Sequence, residues 1–184
     1  MTRIHGTRTL HRAALTALLL GAYLVVPAPA SAAACAHDWG SAPKSGGGMH
    51  LPGLFRVIPS TSACWDRLTF TFAGSVNGYR VRYGETYTEG EGRALSPYTA
   101  GGALLNVTLL APAQPPGFTV GTGAHAVNAI RYRTLRDGVF GGSFEGQSTF
   151  AVGVRARLPF RVFTAAGPGG DSRIILDVLH AWPR

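Results

Sequence analysis

Arg161 stands in the run PFRVF, Pro159–Phe163, and Asp177 stands in RIILDVLH, Arg173–His180. Charged residues make up only 14% of the chain, so opposite charges inside two of its most apolar runs call for a reason. A charge placed there can be catalytic, can hold a ligand, or can be half of a buried ion pair. The runs are separated by AGPGGD, a Gly/Pro turn, which predicts an antiparallel hairpin. With Val162 opposite Leu176, Arg161 falls opposite Asp177, and the period of two puts both on one face. We expect a structural ion pair, whose loss would strand the partner's charge.

The other reactive residues form no catalytic pattern. Ser143 in GGSFEG resembles a G-x-S-x-G elbow, but its fifth residue is Glu145 and no helix follows. His180 and Asp177, three apart on a strand, point to opposite faces. Glu85, Glu89 and Glu91 fall in a solvated loop, leaving Glu145 and Asp177 as acids in apolar surroundings. Two such acids are not the paired carboxylates of a glycosidase. His37, His50, His125 and His180 are dispersed, without metal-ligand spacing. No phosphate-binding loop precedes a helix. We expect no enzyme activity, no cofactor and no metal, with a small secreted hydrolase acting on wall or extracellular polymer as the rival reading.

The N-terminus reads as an export signal. Arg3, Arg8 and Arg12 precede an apolar run, Ala13–Val26, too short for a membrane span. Pro27 breaks it, and Ala30-Ser31-Ala32 is a small-residue cleavage site, so 1–32 is read as a signal peptide cleaved after Ala32. Lipoprotein anchoring at Cys35 is disfavoured, because Ala32 stands where a lipobox wants a large aliphatic residue. The mature chain, about 150 residues, suffices for one domain. It keeps two cysteines, Cys35 and Cys64. In an oxidising compartment they should form one disulfide across about 30 residues, contributing roughly 3–4 kcal/mol. Two thiolates holding a metal would need further close ligands, and only Cys35-Ala36-His37 is suggestive.

Of 17 basic residues only Lys44 is lysine. Losing three arginines with the leader lowers the formal charge from +8 to about +5. That favours anionic surfaces such as cell-wall polymers. Export argues against nucleic acid as a partner.

The elements that must position these residues are strands. Residues 33–62, rich in Ser, Gly and Pro, read as an irregular arm tethered by the disulfide. Beyond it no helical period appears, and apolar residues alternate instead. Leu68, Phe70 and Phe72 share one face. After the turn SVNG, Tyr79, Val81 and Tyr83 alternate with Arg80 and Arg82, which predicts a hairpin. ALLNVTLLAP reads as a strand. NAIRYRTL reads as another, Ile130 and Tyr132 against Arg131 and Arg133. STFAVGVR and the final hairpin complete roughly seven or eight strands, an all-β antiparallel sandwich or barrel. The polar face predicts a basic strip of Arg80, Arg82, Arg131 and Arg133, with Tyr87 and Tyr98 in the intervening loop as stacking surface.

WGS with Lys44 soon after, CWDRLTF, GYRVRY, GSFEG, GVRARLPFRVF and RIILDVLH, in that order and spacing, resemble the AMIN-like domain across about residues 37–182. The resemblance implies a β-sandwich at 63–184 related to the AMIN domain and found in secreted proteins and lipoproteins of high-GC actinobacteria. By analogy with AMIN domains it implies binding to peptidoglycan or an anionic wall polymer, with no catalytic residues to carry over. A protein-binding or inhibitory domain working through a sheet edge is the remaining alternative.

Overall fold

The structure is a computed structural model that describes Cys35 and residues 37–183; segment 1–32, expected to be a signal peptide, lies outside the described residues. Among the described residues ten strands form two antiparallel sheets packed as a sandwich. The six-stranded sheet has the order β1 (Lys44–Gly46), β4 (Tyr79–Tyr83), β5 (Ala103–Leu109), β8 (Gln147–Val154), β7 (Leu135–Phe144) and β6 (His125–Asn128). The four-stranded sheet runs β2 (Leu54–Thr61), β3 (Trp65–Phe72), β10 (Ser172–Leu179) and β9 (Phe160–Ala166).

The alternating apolar residues meet between the sheets. Leu68, Phe70 and Phe72 of β3 and Ile174, Leu176 and Val178 of β10 face Val81, Leu105, Val107, Phe150, Val152 and Val154. Phe70 meets Phe150 across the interface at 5.2 Å between ring centroids. Phe118, from the loop before β6, packs edge-on against Phe140 and Phe150. Two tyrosines of β4 stitch the sheets together with their polar ends. The Tyr79 hydroxyl donates to the Val162 carbonyl, and the Tyr83 hydroxyl donates to Leu158 O and accepts from Leu158 N. An aromatic body in the core with a bonded hydroxyl at its edge buries the ring without stranding its own polar atom.

Three local readings change. β3 and β4 are not a hairpin: they lie in different sheets, so residues 73–78 cross between them. Val76 is buried in that crossing, held by its N–H to Ser172 Oγ at 2.8 Å. Both strands alternate in the same way because both line one core, from opposite sides. Next, 33–62 is not an irregular arm throughout, since it supplies β1 and β2. β2 contains Pro59, which cannot donate to a ladder and therefore masks a strand in sequence; here it sits on a sheet edge, where that loss is tolerated. Finally, β6 ends at Asn128, and residues 130–134 turn before β7 begins at Leu135. Gly138, Gly141 and Gly142 hide β7 from a propensity reading.

One inward-facing carboxylate closes the end of the sandwich. Asp66 of β3 is buried, accepting from Thr61 Oγ1 at 2.6 Å, Thr134 N at 2.5 Å and Leu135 N at 3.1 Å, with His180 Nε2 at 3.0 Å. It thereby ties the start of β7 to the opposite sheet. Burial alone would raise its pKa, but the bonds from Thr61, His180, Thr134 and Leu135 together hold it below the ordinary carboxylate value. A depressed pKa contributes stability that is present above the unfolded-state pKa and lost as pH falls through the folded one. Acid unfolding should therefore steepen below about pH 4. Asp66→Asn should be destabilised by about 1–3 kcal/mol at neutral pH and show a flatter acid limb, as checked by thermal melts from pH 2 to 7.

Candidate functional site

The outer face of the six-stranded sheet carries a walled cleft of about 490 Å³. Its floor follows from register. Ser45, Arg80, Thr108 and Thr149 stand in one row across β1, β4, β5 and β8, and Arg82 stands beside Asn106 in the next. A strand's period of two puts these polar side chains outward, while Val81 and Val107 between them face the core. Pro43 and Lys44 border one side and Tyr87–Glu89 the other.

The second wall exists because the segment after β4 folds back over the sheet. Leu95 buries itself against Val139 and Ala151, a small apolar cluster on the outer face. Tyr87 bridges to Ala94, and Glu89 N donates to Gly141 O at 2.8 Å. This approach needs glycine at two positions. A Cβ on Gly141 would stand 3.2 Å from Tyr87 O, and Gly142 has φ +117° with its Cβ site 3.2 Å from that of Glu89. Glu85 anchors the segment's base: its carboxylate accepts from Thr86 N, Ser96 N and Ser96 Oγ. Desolvation opposes ionisation, yet these bonds outweigh it and keep the Glu85 pKa lowered.

Within the cleft, Arg82 has no hydrogen bond or ion pair among the described residues, and Arg80 makes a long bond to Gln147 Oε1 at 3.4 Å. Glu89 is the acid of the lining, and it accepts from Thr149 Oγ1 at 2.6 Å. Tyr87 is 53% exposed at the rim. Chemically, the cleft offers guanidinium forks for an oxyanion, hydroxyl and amide groups for a polyol, and a ring to stack on.

The basic strip of four arginines is not assembled. Arg131 and Arg133 lie in the β6–β7 turn, whereas Arg80 and Arg82 are on β4, with β5, β8 and β7 between them and β6. Four strand spacings correspond to about 19 Å. The alternation in NAIRYRTL belongs to a turn, where Tyr132 tucks back to donate to Pro59 O. Tyr98 is not in the cleft lining; Arg93 stacks over it.

Arg161 and Asp177 lie opposite each other in the β9–β10 register, with Val162 opposite Leu176. Arg161 Nη2 is 2.8 Å from Asp177 Oδ2. The sequence reading missed a third member: Arg67 lies opposite Asp177 on β3, with Nε 2.6 Å from Oδ1 and Nη2 2.9 Å from Oδ2. Asp177 is on the outer face yet buried, because both guanidiniums and an aromatic group cover it. Arg161 stands 4.4 Å over the Trp39 ring, 5.2 Å over Trp65 and 4.8 Å over Phe163. Trp39 belongs to the segment that the Cys35–Cys64 disulfide fastens beside β3.

The remaining reactive residues have local partners. Ser143 Oγ donates to Gln147 O in the β7–β8 hairpin, whose turn holds Glu145 at φ +47°. His37 stacks on Trp39, His50 meets Asn77, and His125 meets Asp137 at 2.8 Å. Among the described residues no three His, Cys, Asp or Glu side chains group as a metal site, and no helix is long and apolar enough to cross a membrane.

Residues 53–180 match the family model of the AMIN-like domain. No curated protein and no solved structure matches the chain.

Asp177→Ala would leave two half-buried guanidiniums facing each other without their counter-charge. We expect a loss of about 3–5 kcal/mol, whereas replacing Arg67, Arg161 and Asp177 together by Met, Met and Leu should recover most of it. Urea unfolding of the two variants separates these outcomes. Reduction of Cys35–Cys64, which spans 29 residues, should cost roughly 3–4 kcal/mol and shift tryptophan emission as Trp39 leaves Arg161.

Proposed function

The chain belongs to the AMIN-like domain family, and from that premise we propose that it is an exported, non-catalytic domain that binds cell-wall polymer in the cleft over β4, β5 and β8. The family is often associated with cell-wall and peptidoglycan binding. The observation that carries the reading is the placement of Arg80 and Arg82, two guanidiniums without a carboxylate partner, on the floor of a walled cleft. Arginine forks take carboxylate or phosphate through paired hydrogen bonds. Asn106, Thr108 and Thr149 add the donors and acceptors that sugar hydroxyls require. Tyr87 supplies a flat apolar face for a pyranose ring. The disulfide fits an extracytoplasmic location. A glycosidase working here would need a second carboxylate about 5–9 Å from Glu89, and the cleft lining supplies none.

The test is sedimentation of the mature protein with purified cell wall, with and without its anionic polymers. Arg80→Ser with Arg82→Ser should weaken binding at least tenfold, since a hydrogen bond to a charged group contributes about 1.5–3 kcal/mol. Binding should also fall with added salt. Arg131→Ser with Arg133→Ser, at the far edge of the sheet, should change it little. Unchanged binding by the β4 double variant, or release of soluble wall fragments by the wild-type protein, would overturn the reading.

A further inference from the structure

The opposite outer face carries a second basic groove, of about 360 Å³, on the four-stranded sheet. Arg56 of β2 and Arg173 of β10 both lie opposite Thr71 of β3, one from each side. The three side chains therefore stand in one row, with the two arginine backbones about 10 Å apart. Neither guanidinium has a hydrogen bond or ion pair among the described residues; Arg56 rests over the Phe55 ring at 5.7 Å. The adjoining row is neutral: Ile58, Thr69 and Ile175 lie side by side. Arg67 closes the other end of the groove, four residues along β3 from Thr71, or about 13 Å. It is already bonded to Asp177, but two arginines share that one carboxylate, so the cluster keeps net positive charge. Asp171 on the rim is the acid of this lining.

We propose that this groove is a second binding site, for a strand of polymer that carries an oxyanion on successive repeats. Positive charge at both ends with a neutral middle complements a chain whose anions are separated by uncharged repeats. A single small anion would leave one end unmatched. The consequence rests on the reading of the first cleft. The two grooves lie on opposite outer faces of one sandwich, so one strand cannot run through both without wrapping the domain. A single chain thus holds two polymer strands and bridges them. Two sites on one rigid body also raise retention on a wall through effective concentration, without any further contact.

Titration calorimetry with a short poly(glycerol phosphate) oligomer, whose phosphates alternate with neutral glycerols, and light scattering with the long-chain polymer test this. The wild-type protein should bind two of the short oligomers and scatter with the long chain. Arg56→Ser with Arg173→Ser should remove one of the two sites, keep the thermal midpoint within a degree or two, and abolish scattering. Arg80→Ser with Arg82→Ser should remove the other site and likewise abolish scattering. A single site in the wild type that only the β4 variant removes would overturn this inference while leaving the first cleft standing. A single site that only the β2–β10 variant removes would do the reverse. Binding to anionic lipid vesicles that depends on Arg56 and Arg173, without binding to poly(glycerol phosphate), would assign the face to a membrane and overturn it as well.

Discussion

The carboxylate of Asp177 sets the geometry of the four-stranded sheet. It is buried on the outward face of the strand, where an unpaired charge would be prohibitively costly, and it accepts from Arg67 on one side and Arg161 on the other. Three strands are thereby held in one register, because a one-residue slip of either neighbour would turn its arginine into the core. The two guanidiniums also become a platform. Arg161 is the cation against which Trp39, Trp65 and Phe163 arrange themselves, and Trp39 brings with it the segment that the disulfide fastens. A charge that cannot leave its strand organises the covering of that strand.

Asp66 does comparable work on the inward face, one residue before Arg67. There it captures the backbone N–H groups of Thr134, just before β7, and of Leu135, the first residue of β7 in the other sheet. Adjacent residues of a strand point to opposite faces, so Asp66 and Arg67 divide two tasks: one fixes how the sheets meet, the other how the outer face is covered. The two outer faces then diverge. On the four-stranded sheet the end near Asp177 is roofed by aromatics, and the groove beside Arg56 stays open. On the six-stranded sheet a folded-back segment, admitted by Gly141 and Gly142, forms the wall of the cleft. Both open regions carry guanidiniums without local partners.

Much of this was legible along the chain because strand alternation is a local signal. The core faces of β3, β4, β8, β9 and β10 follow from residues two apart, and the β9–β10 turn, with its fixed short length, made the opposition of Arg161 and Asp177 readable. The cysteine pair was legible for a simpler reason: two cysteines behind an export-like leader have one intramolecular pairing. β2 and β7 were not legible, since Pro59 and the three glycines remove the residues by which a strand announces itself. In both places the fold uses that lack, at a sheet edge and beneath a close-packed loop.

By itself, then, the sequence determined the fold class, the inward-facing residues of most strands, the disulfide and one half of the Asp177 cluster. Tertiary structure alone decided which strands are neighbours. Arg67 meets Asp177 over 110 residues of chain, and Glu89 meets Gly141 of β7 only because the intervening loop folds back. The same fact separates Arg131 and Arg133 from Arg80 and Arg82, although all four had seemed to share one polar face. Alternation says which face of a strand is wet. It carries no information about which sheet the strand joins, because strands lining one core from opposite sides need the same pattern.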